Sequence, residues 1–284
     1  MLSPSAVSSW TAAGCSTDSR GPGVTEIAMD GPLVAPALIA GAVFVIALLY
    51  ASVGHAGATG YIAMMTLAGL TPDVIRPTAL LLNVVVATIA TVQFARAGHF
   101  RGRLFWPLSI ASVPCAAIGG AVKLPTQAFE TLLGVVLLVS AARLVREAVA
   151  PRGGDDDPES SANSPIGLRW LLPLGGGIGM LSGLTGVGGG VFLTPVLAWL
   201  RAAPVRRIAA VTAPFILLNS LAGLAGGLVA GRPFPLASGW LVAAAAAGGL
   251  AGSQLGAFRL PTAAIRLLMA AVLLVATAKL LVLP

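Results

Sequence analysis

The chain has 284 residues, 57% of them hydrophobic and only 10% charged, with 35 glycines and 20 prolines. Charged residues fall far below the roughly 25% of a soluble globular domain, which points to a chain that lives in lipid. The net charge of +7 would suit nucleic acid, but the basic residues stand in ones to threes between long apolar runs with no interleaved aromatics, so nucleic acid is set aside as a partner.

In chain order, residues 1–30 hold Ser, Thr, Gly and Pro but no apolar core of the length a signal peptide needs, and read as a disordered tail. Met29, just before Asp30 and the first apolar run, is an alternative start. A bilayer core about 30 Å thick asks for about 20 mostly apolar residues per helix. Such runs lie at about 33–53, 57–71, 75–97, 104–122 and 128–149, and again at about 168–184, 187–200, 208–231, 236–257 and 263–283. The expected fold is all-α, a polytopic helical membrane protein with about 8–10 transmembrane segments. The second run of each half is only about 14 residues long, short enough to be a half-length or re-entrant piece.

The organisation that follows is a tail (1–30), a first membrane half (31–150), an acidic linker (151–166) and a second membrane half (167–284). The clustered Asp155, Asp156 and Asp157, set among Gly, Pro and Ser, read as a solvated linker rather than a metal site. Cys15 and Cys115 are too few for a disulfide framework. Neither a metal nor another cofactor is implied.

Orientation comes from the Lys/Arg bias. If all ten runs cross, twelve basic residues (Arg96, Arg101, Arg103, Arg143, Arg146, Arg152, Arg169, Arg201, Arg206, Arg207, Arg259, Arg266) share one side, and five (Arg20, Arg76, Lys123, Arg232, Lys279) the other. Both termini then lie outside and the linker in the cytoplasm.

The two halves repeat each other. Lys123-Leu124-Pro125-Thr126 recurs as Arg259-Leu260-Pro261-Thr262, and Leu81-Leu82-Asn83 as Leu217-Leu218-Asn219, at an offset of 136; further upstream Gly54 aligns with Gly186, Gly57 with Gly189 and Pro72 with Pro204 at an offset of 132. Five crossings per unit would give the copies opposite orientation, a recurring plan of secondary transporters. The alternative, four crossings plus a re-entrant hairpin per half, would make the repeats parallel.

Each repeat opens on a glycine cluster, Ser52-Val53-Gly54-His55-Ala56-Gly57-Ala58-Thr59-Gly60 and Ser182-Gly183-Leu184-Thr185-Gly186-Val187-Gly188-Gly189-Gly190. Glycine costs a helix close to 1 kcal/mol relative to alanine, so the apolar run is expected to break there. A break at membrane depth must be buried in protein or line a wet cavity. A short helix starting from it would point free N–H groups and its positive dipole end into the gap, a place to hold an anion. No carboxylate lies anywhere from Ser160 to Pro284 to compete for them. The same glycines could instead serve only close helix packing. Packing is the reading for the stripe Gly248, Gly252 and Gly256, and for its repeat partners Ser112, Ala116 and Gly120.

Among polar residues in the runs, most Ser and Thr are expected to bond the preceding turn. Asn83 and Asn219 stand apart because an amide in lipid is expensive and the two hold equivalent places; each either locks two helices together or offers an NH2 donor to an oxyanion. His55 is either a neutral hydrogen-bonded histidine or a proton-linked ligand contact. The candidate substrate-binding set is Gly54, His55, Gly57, Thr59, Asn83, Thr185, Gly186, Gly188, Gly189, Gly190 and Asn219.

The stretch from Gly186 to Leu197 reads GVGGGVFLTPVL and matches the GxGGGxxxxPxL hallmark of the sulfite exporter TauE/SafE family of permeases, which the chain resembles over about 33–284. The first copy departs from it, with Ala56 and Ala58 in place of glycines and Ala63 in place of the proline. Arg96-Ala97-Gly98-His99 and the Leu-Pro-Thr turns are similar to the family as well. The resemblance, of the 4-toluene sulfonate uptake permease type, implies transport of a small anion, often a sulfur oxyanion or organosulfonate, across a bacterial inner membrane. Its partners would be that anionic substrate and membrane lipids, with a homo-oligomer left open.

Two rival readings remain. A passive anion channel could use the same broken helices, though an inverted duplication favours alternating access. An intramembrane hydrolase would need a nucleophile and a base, or carboxylates, or metal ligands. Ser182 misses the GxSG pattern by one place, no catalytic set is found, and the chain reads as a non-enzyme.

Overall fold

The computed structural model describes residues 34–67, 70, 72–122, 168–200, 202–232 and 239–260. All described elements are helical: α1 (Val34–Ser52), α2 (Ala58–Leu67), α3 (Pro72–Arg96), α4 (Gly102–Ala121), α5 (Leu168–Thr185), α6 (Gly190–Trp199), α7 (Val205–Val229) and α8 (Gly239–Gln254), the last running into a π-helical turn, Leu255–Arg259. The tail, the linker and the fifth run of each half, 128–149 and 263–283, lie outside the described residues.

Among the described residues, four stretches are long and apolar enough to cross a membrane: Asp73–Arg96, Gly102–Ala121, Arg206–Val229 and Gly239–Arg259. Large apolar side chains on their outer surfaces, such as Ile110, Ile118, Leu221 and Leu250, stay exposed, as a lipid-facing surface requires. Exposed Trp106, Trp170 and Trp240 sit within the first two turns of α4, α5 and α8, where an indole rests at the headgroup level.

Small residues decide which helices touch. The two most extensive interfaces pair α4 with α5 and α1 with α8. Gly175, Gly179 and Gly183 of α5 meet Leu108, Ser112 and Ala116 of α4, and Gly248, Gly252 and Gly256 meet Phe44, Leu48 and Ser52 of α1. A spacing of four puts each set on one ridge, and the missing side chains let backbone lie on backbone. The packing reading of the Gly248, Gly252, Gly256 stripe is what the structure has. Each first helix therefore packs on the fourth helix of the other half, so the halves interlock.

Residue order along these contacts gives helix directions. Both pairs run parallel, because the numbers rise together. The equivalent helices α3 and α7 run antiparallel: Leu80 meets Gly223, while Ala90 and Phe94 cluster with Ala209, Ala210 and Ala213. Two hydrogen bonds tie down the faces. Arg206 Nη2 donates to the Leu260 carbonyl at 2.7 Å, joining the start of α7 to the end of the π turn. Arg232 Nη2 donates to the Val122 carbonyl at 2.8 Å, joining the ends of α7 and α4.

The short second helices do not cross. Along α6 the contacts on α7 run backwards, Gly188 against Ser220, Gly190 against Ile216 and Thr194 against Thr212, whereas α5 runs parallel to α7. The pair α5–α6 is a re-entrant hairpin that returns to the face it left. The first half folds the same way, Thr59 bonding Tyr50 and Gly60 lying against Ile46. The second run of each half is thus the re-entrant piece that its length allowed. The inference that a re-entrant hairpin makes the halves parallel is corrected: the equivalent helices α3 and α7 still run oppositely.

Candidate functional site

Both helix breaks form where the glycine clusters place them. Residues 53–57 separate α1 from α2, and 186–189 separate α5 from α6. Gly188 (φ +80°) and Gly189 (φ +82°) sit in the left-handed region, which only glycine enters without strain. Gly189 caps α6 with no side-chain hydrogen bond, so the first N–H groups of α6 open into the break, as do those of any uncapped helix start.

Each break lies against the third helix of the opposite half. Gly54 abuts the Ala209 backbone of α7, and Gly186 abuts Arg76 of α3. Gly188 is hemmed by Asn83 Nδ2, Ser220 Oγ and Ile216, and Gly189 by Phe215, Ser182 and Ile178. Asn83, against Gly188, stands near the middle of the 25-residue α3, so the second break reaches toward mid-depth, while Gly54 and Gly186 lie level with Ala209 and Arg76, early in α7 and α3. His55 bridges the two breaks: its ring lies against the main chain of Val53 in its own break and of Gly190 in the other. Neither ring nitrogen is aligned well enough to close a hydrogen bond.

The expected binding residues divide by what their polar atoms do. Thr59 bonds Tyr50 at 2.7 Å and Thr185 bonds the Leu181 carbonyl at 2.7 Å, so both serve local structure. The Asn219 amide is engaged at both ends, accepting from Ser112 Oγ at 2.7 Å and donating to the Phe215 carbonyl at 3.0 Å; of the two roles open to it, it joins α7 to α4. Asn83 donates to the Val187 carbonyl at 3.3 Å and leaves its Oδ1 without a partner. Its amide thus pins the second break to the first half.

Around the breaks, His55, Ser182, Ser220 and Asn83 all bring buried polar atoms without hydrogen-bond partners, on side chains at most 5% exposed. Such groups cost about 1–3 kcal/mol each when left unmade, and four converging on one place ask for a reason. Ser182 and Ser220 were not in the sequence-derived set, although Ser182 opens the second glycine cluster and Ser220 follows Asn219. Arg76 was also missed. Counted with the outer loops, it proves to lie inside α3, 8% exposed.

The described residues contain no group of three or more His, Cys, Asp or Glu able to hold a metal. Family comparison settles the class. Residues 39–280 match the family model described as "Sulfite exporter TauE/SafE". The chain belongs to the sulfite exporter TauE/SafE family. Its similarity extends to a "Probable membrane transporter protein y4hK" of Sinorhizobium fredii (strain NBRC 101917 / NGR234), 40% identical over 240 residues that make up 84% of this chain and 96% of that protein. No solved structure matches the chain. As a TauE/SafE member the chain is a multi-pass membrane transporter, not an enzyme, which handles a small substrate and sits among lipids.

Proposed function

We propose that the chain is a bacterial inner-membrane permease that binds a small anion, a sulfur oxyanion or organosulfonate, where the two helix breaks meet, and passes it across by alternating access. The observation that carries this reading is the convergence of unpaired polar groups with the open start of α6. Ser182 and Ser220 hydroxyls, the His55 ring and the Gly189 and Gly190 N–H groups supply donors, and no carboxylate stands among the residues lining either break. Hydrogen-bond donors in a dry, fixed arrangement are what an oxyanion needs in place of its hydration shell. The glycines Gly54, Gly57, Gly186 and Gly188 shape the breaks, while Asn83 and Asn219 hold the helices that frame them. The sulfur in the substrate rests on the family description. Alternating access is supported by the inverted, interlocked halves: tilting one hairpin relative to the other would open the breaks to one face at a time.

The test is counterflow of labelled sulfite and sulfoacetate in proteoliposomes. Unlabelled anion on the far side accelerates entry of label through a carrier, and a channel shows no such acceleration. A Ser182→Ala, Ser220→Ala double variant is expected to lose about tenfold or more in uptake, equivalent to about 1.4 kcal/mol. Full activity in that variant overturns the site, and absence of flux for every anion tried overturns the function.

A further inference from the structure

The two hairpins differ at one fully buried position. In the register that aligns Gly57 with Gly189, Tyr61 of α2 corresponds to Leu193 of α6, and both side chains are buried completely. Since leucine fills this place in the second hairpin, packing there asks for bulk and not for a hydroxyl. The Tyr61 hydroxyl has no hydrogen-bond partner among the described residues. Such a group weakens the fold, and phenylalanine would fill the same space without that penalty. Tyr50, the chain's other tyrosine, is spent on structure: its hydroxyl shares a hydrogen bond with Thr59 Oγ1 at 2.7 Å and ties α1 to α2.

The start of α2 sets the Tyr61 hydroxyl at the first break. The Tyr61 N–H donates to the Gly57 carbonyl at 3.0 Å, closing the first turn, so the N–H groups of Ala58, Thr59 and Gly60 have no partner within the helix, as at any helix start. The Tyr61 ring folds back onto Gly57. A Cβ there would stand 3.0 Å from both Cζ and the hydroxyl oxygen of Tyr61, and 3.2 Å from Ile46 Cγ2. Gly57 also takes φ +99°, a left-handed conformation that suits glycine. Two residues before it stands His55, whose ring nitrogens are likewise unpaired and whose ring reaches the main chain of Gly190 at the start of α6. The first break thus joins a helix start, an unpaired hydroxyl and an imidazole, with no carboxylate from Val53 to Tyr61.

We infer that Tyr61 is the first hairpin's hydroxyl donor to the transported oxyanion, which is held from both halves at once, by Tyr61 with His55 on one side and by Ser182, Ser220 and the start of α6 on the other. This rests on the permease reading above. The oxygens of a pyramidal sulfite or sulfonate group point in different directions, so they accept from donors on two sides, and a hydroxyl bonded to an anion is stronger than one bonded to a neutral group. An anion gripped from both hairpins also favours the state in which the breaks meet. That difference in affinity is what lets a substrate bias a change of conformation.

Uptake of labelled sulfite into proteoliposomes, and melting curves of the full chain in nanodiscs with and without sulfite, are compared for wild type, Tyr61→Phe and Tyr50→Phe. Tyr61→Phe is expected to raise KM about five- to tenfold with Vmax within about twofold, while its melting temperature without anion stays the same or rises. Tyr50→Phe should do the opposite, melting earlier with KM within about twofold of wild type, because the hydroxyl it loses is paired. Should Tyr61→Phe fail to fold, Tyr61→Leu, the residue of the second hairpin, takes the same measurements. An unchanged KM in the Tyr61 variant overturns the inference, and so does a raised KM that comes with a lower melting temperature in the absence of anion. The melting shift at a fixed sulfite concentration needs no transport and separates this inference from its premise. If wild type moves no anion yet sulfite raises its melting temperature more than that of Tyr61→Phe, the permease reading fails and the Tyr61 contact stands; equal shifts overturn the contact, whether or not the anion is transported.

Discussion

Two asparagines at equivalent places in a repeat need not do equivalent work. Asn219 is satisfied by Ser112 and Phe215, whereas Asn83 reaches across to the opposite break and keeps a bare Oδ1. Asn219→Ala should therefore lower thermal stability, by about 1–2 kcal/mol from the lost bridge to α4, while KM for the transported anion stays within twofold. Ser220→Ala should do the reverse, with KM rising and melting temperature nearly fixed. Melting curves and uptake kinetics on the two variants distinguish these patterns. His99, in the turn after α3 and outside the spans, gives a pH-dependent counterpart. Burial first, then the neighbouring Arg206, hold its pKa below the usual 6.5; the Ala257 backbone opposes them, and Arg207 adds a lesser push downward. The folded protein then binds fewer protons than the unfolded chain, so this contribution to stability is present above about pH 6.5 and is lost as pH falls through the lower folded value. His99→Gln should flatten the fall in melting temperature between pH 7.5 and pH 5 relative to wild type. Residue types alone disclosed the glycine breaks, since few sequences tolerate so many glycines in an apolar run. They could not disclose Ser182, Ser220 or Arg76, because whether a hydroxyl is spent on its own helix, or a basic residue near a helix end lies in a loop or in the core, depends on the neighbouring helices.

At the level of helices, backbone proximity at a few glycines determines the packing. A Cβ on Gly252 would overlap the Leu48 carbonyl, and one on Gly183 the Ala116 carbonyl. Neighbouring backbone cannot yield as a flexible side chain can, so Gly252→Val should cost upwards of about 2 kcal/mol and prise α1 from α8. Gly177, on the same helix as Gly183, meets nothing within 4 Å, and Gly177→Ala should be neutral or should stabilise by up to about 1 kcal/mol through helix propensity. Thermal denaturation in detergent would read both, and equal effects would show that glycine content rather than contact matters. The Gly248, Gly252, Gly256 row was legible because its period is strict. Its counterpart, Ser112, Ala116 and Gly120, was legible through the repeat; what was not is that the glycines completing its contact, Gly175, Gly179 and Gly183, belong to α5 in the other half.

Over the whole molecule, what the sequence left undecided was parity. Run length marks a segment as short, but it does not say whether a short helix continues across the membrane or turns back, and the two outcomes were tied to opposite arrangements of the halves. The contacts of α6 on α7 settle the turn, and those of α3 on α7 settle the inversion. The inversion can be read in cells. In a background with Cys15 and Cys115 replaced by alanine, Asp73→Cys and Ala202→Cys place single thiols at the start of α3 and just before α7, its equivalent in the other half. Parallel halves would expose both to the same side. The arrangement described here puts Asp73→Cys on the face of Arg232 and Ala202→Cys on that of Arg206 and His99, so a membrane-impermeant maleimide added to spheroplasts should label the first and spare the second until the membrane is broken. Equal labelling of the two would refute the inversion, and with it the structural basis for moving one hairpin against the other.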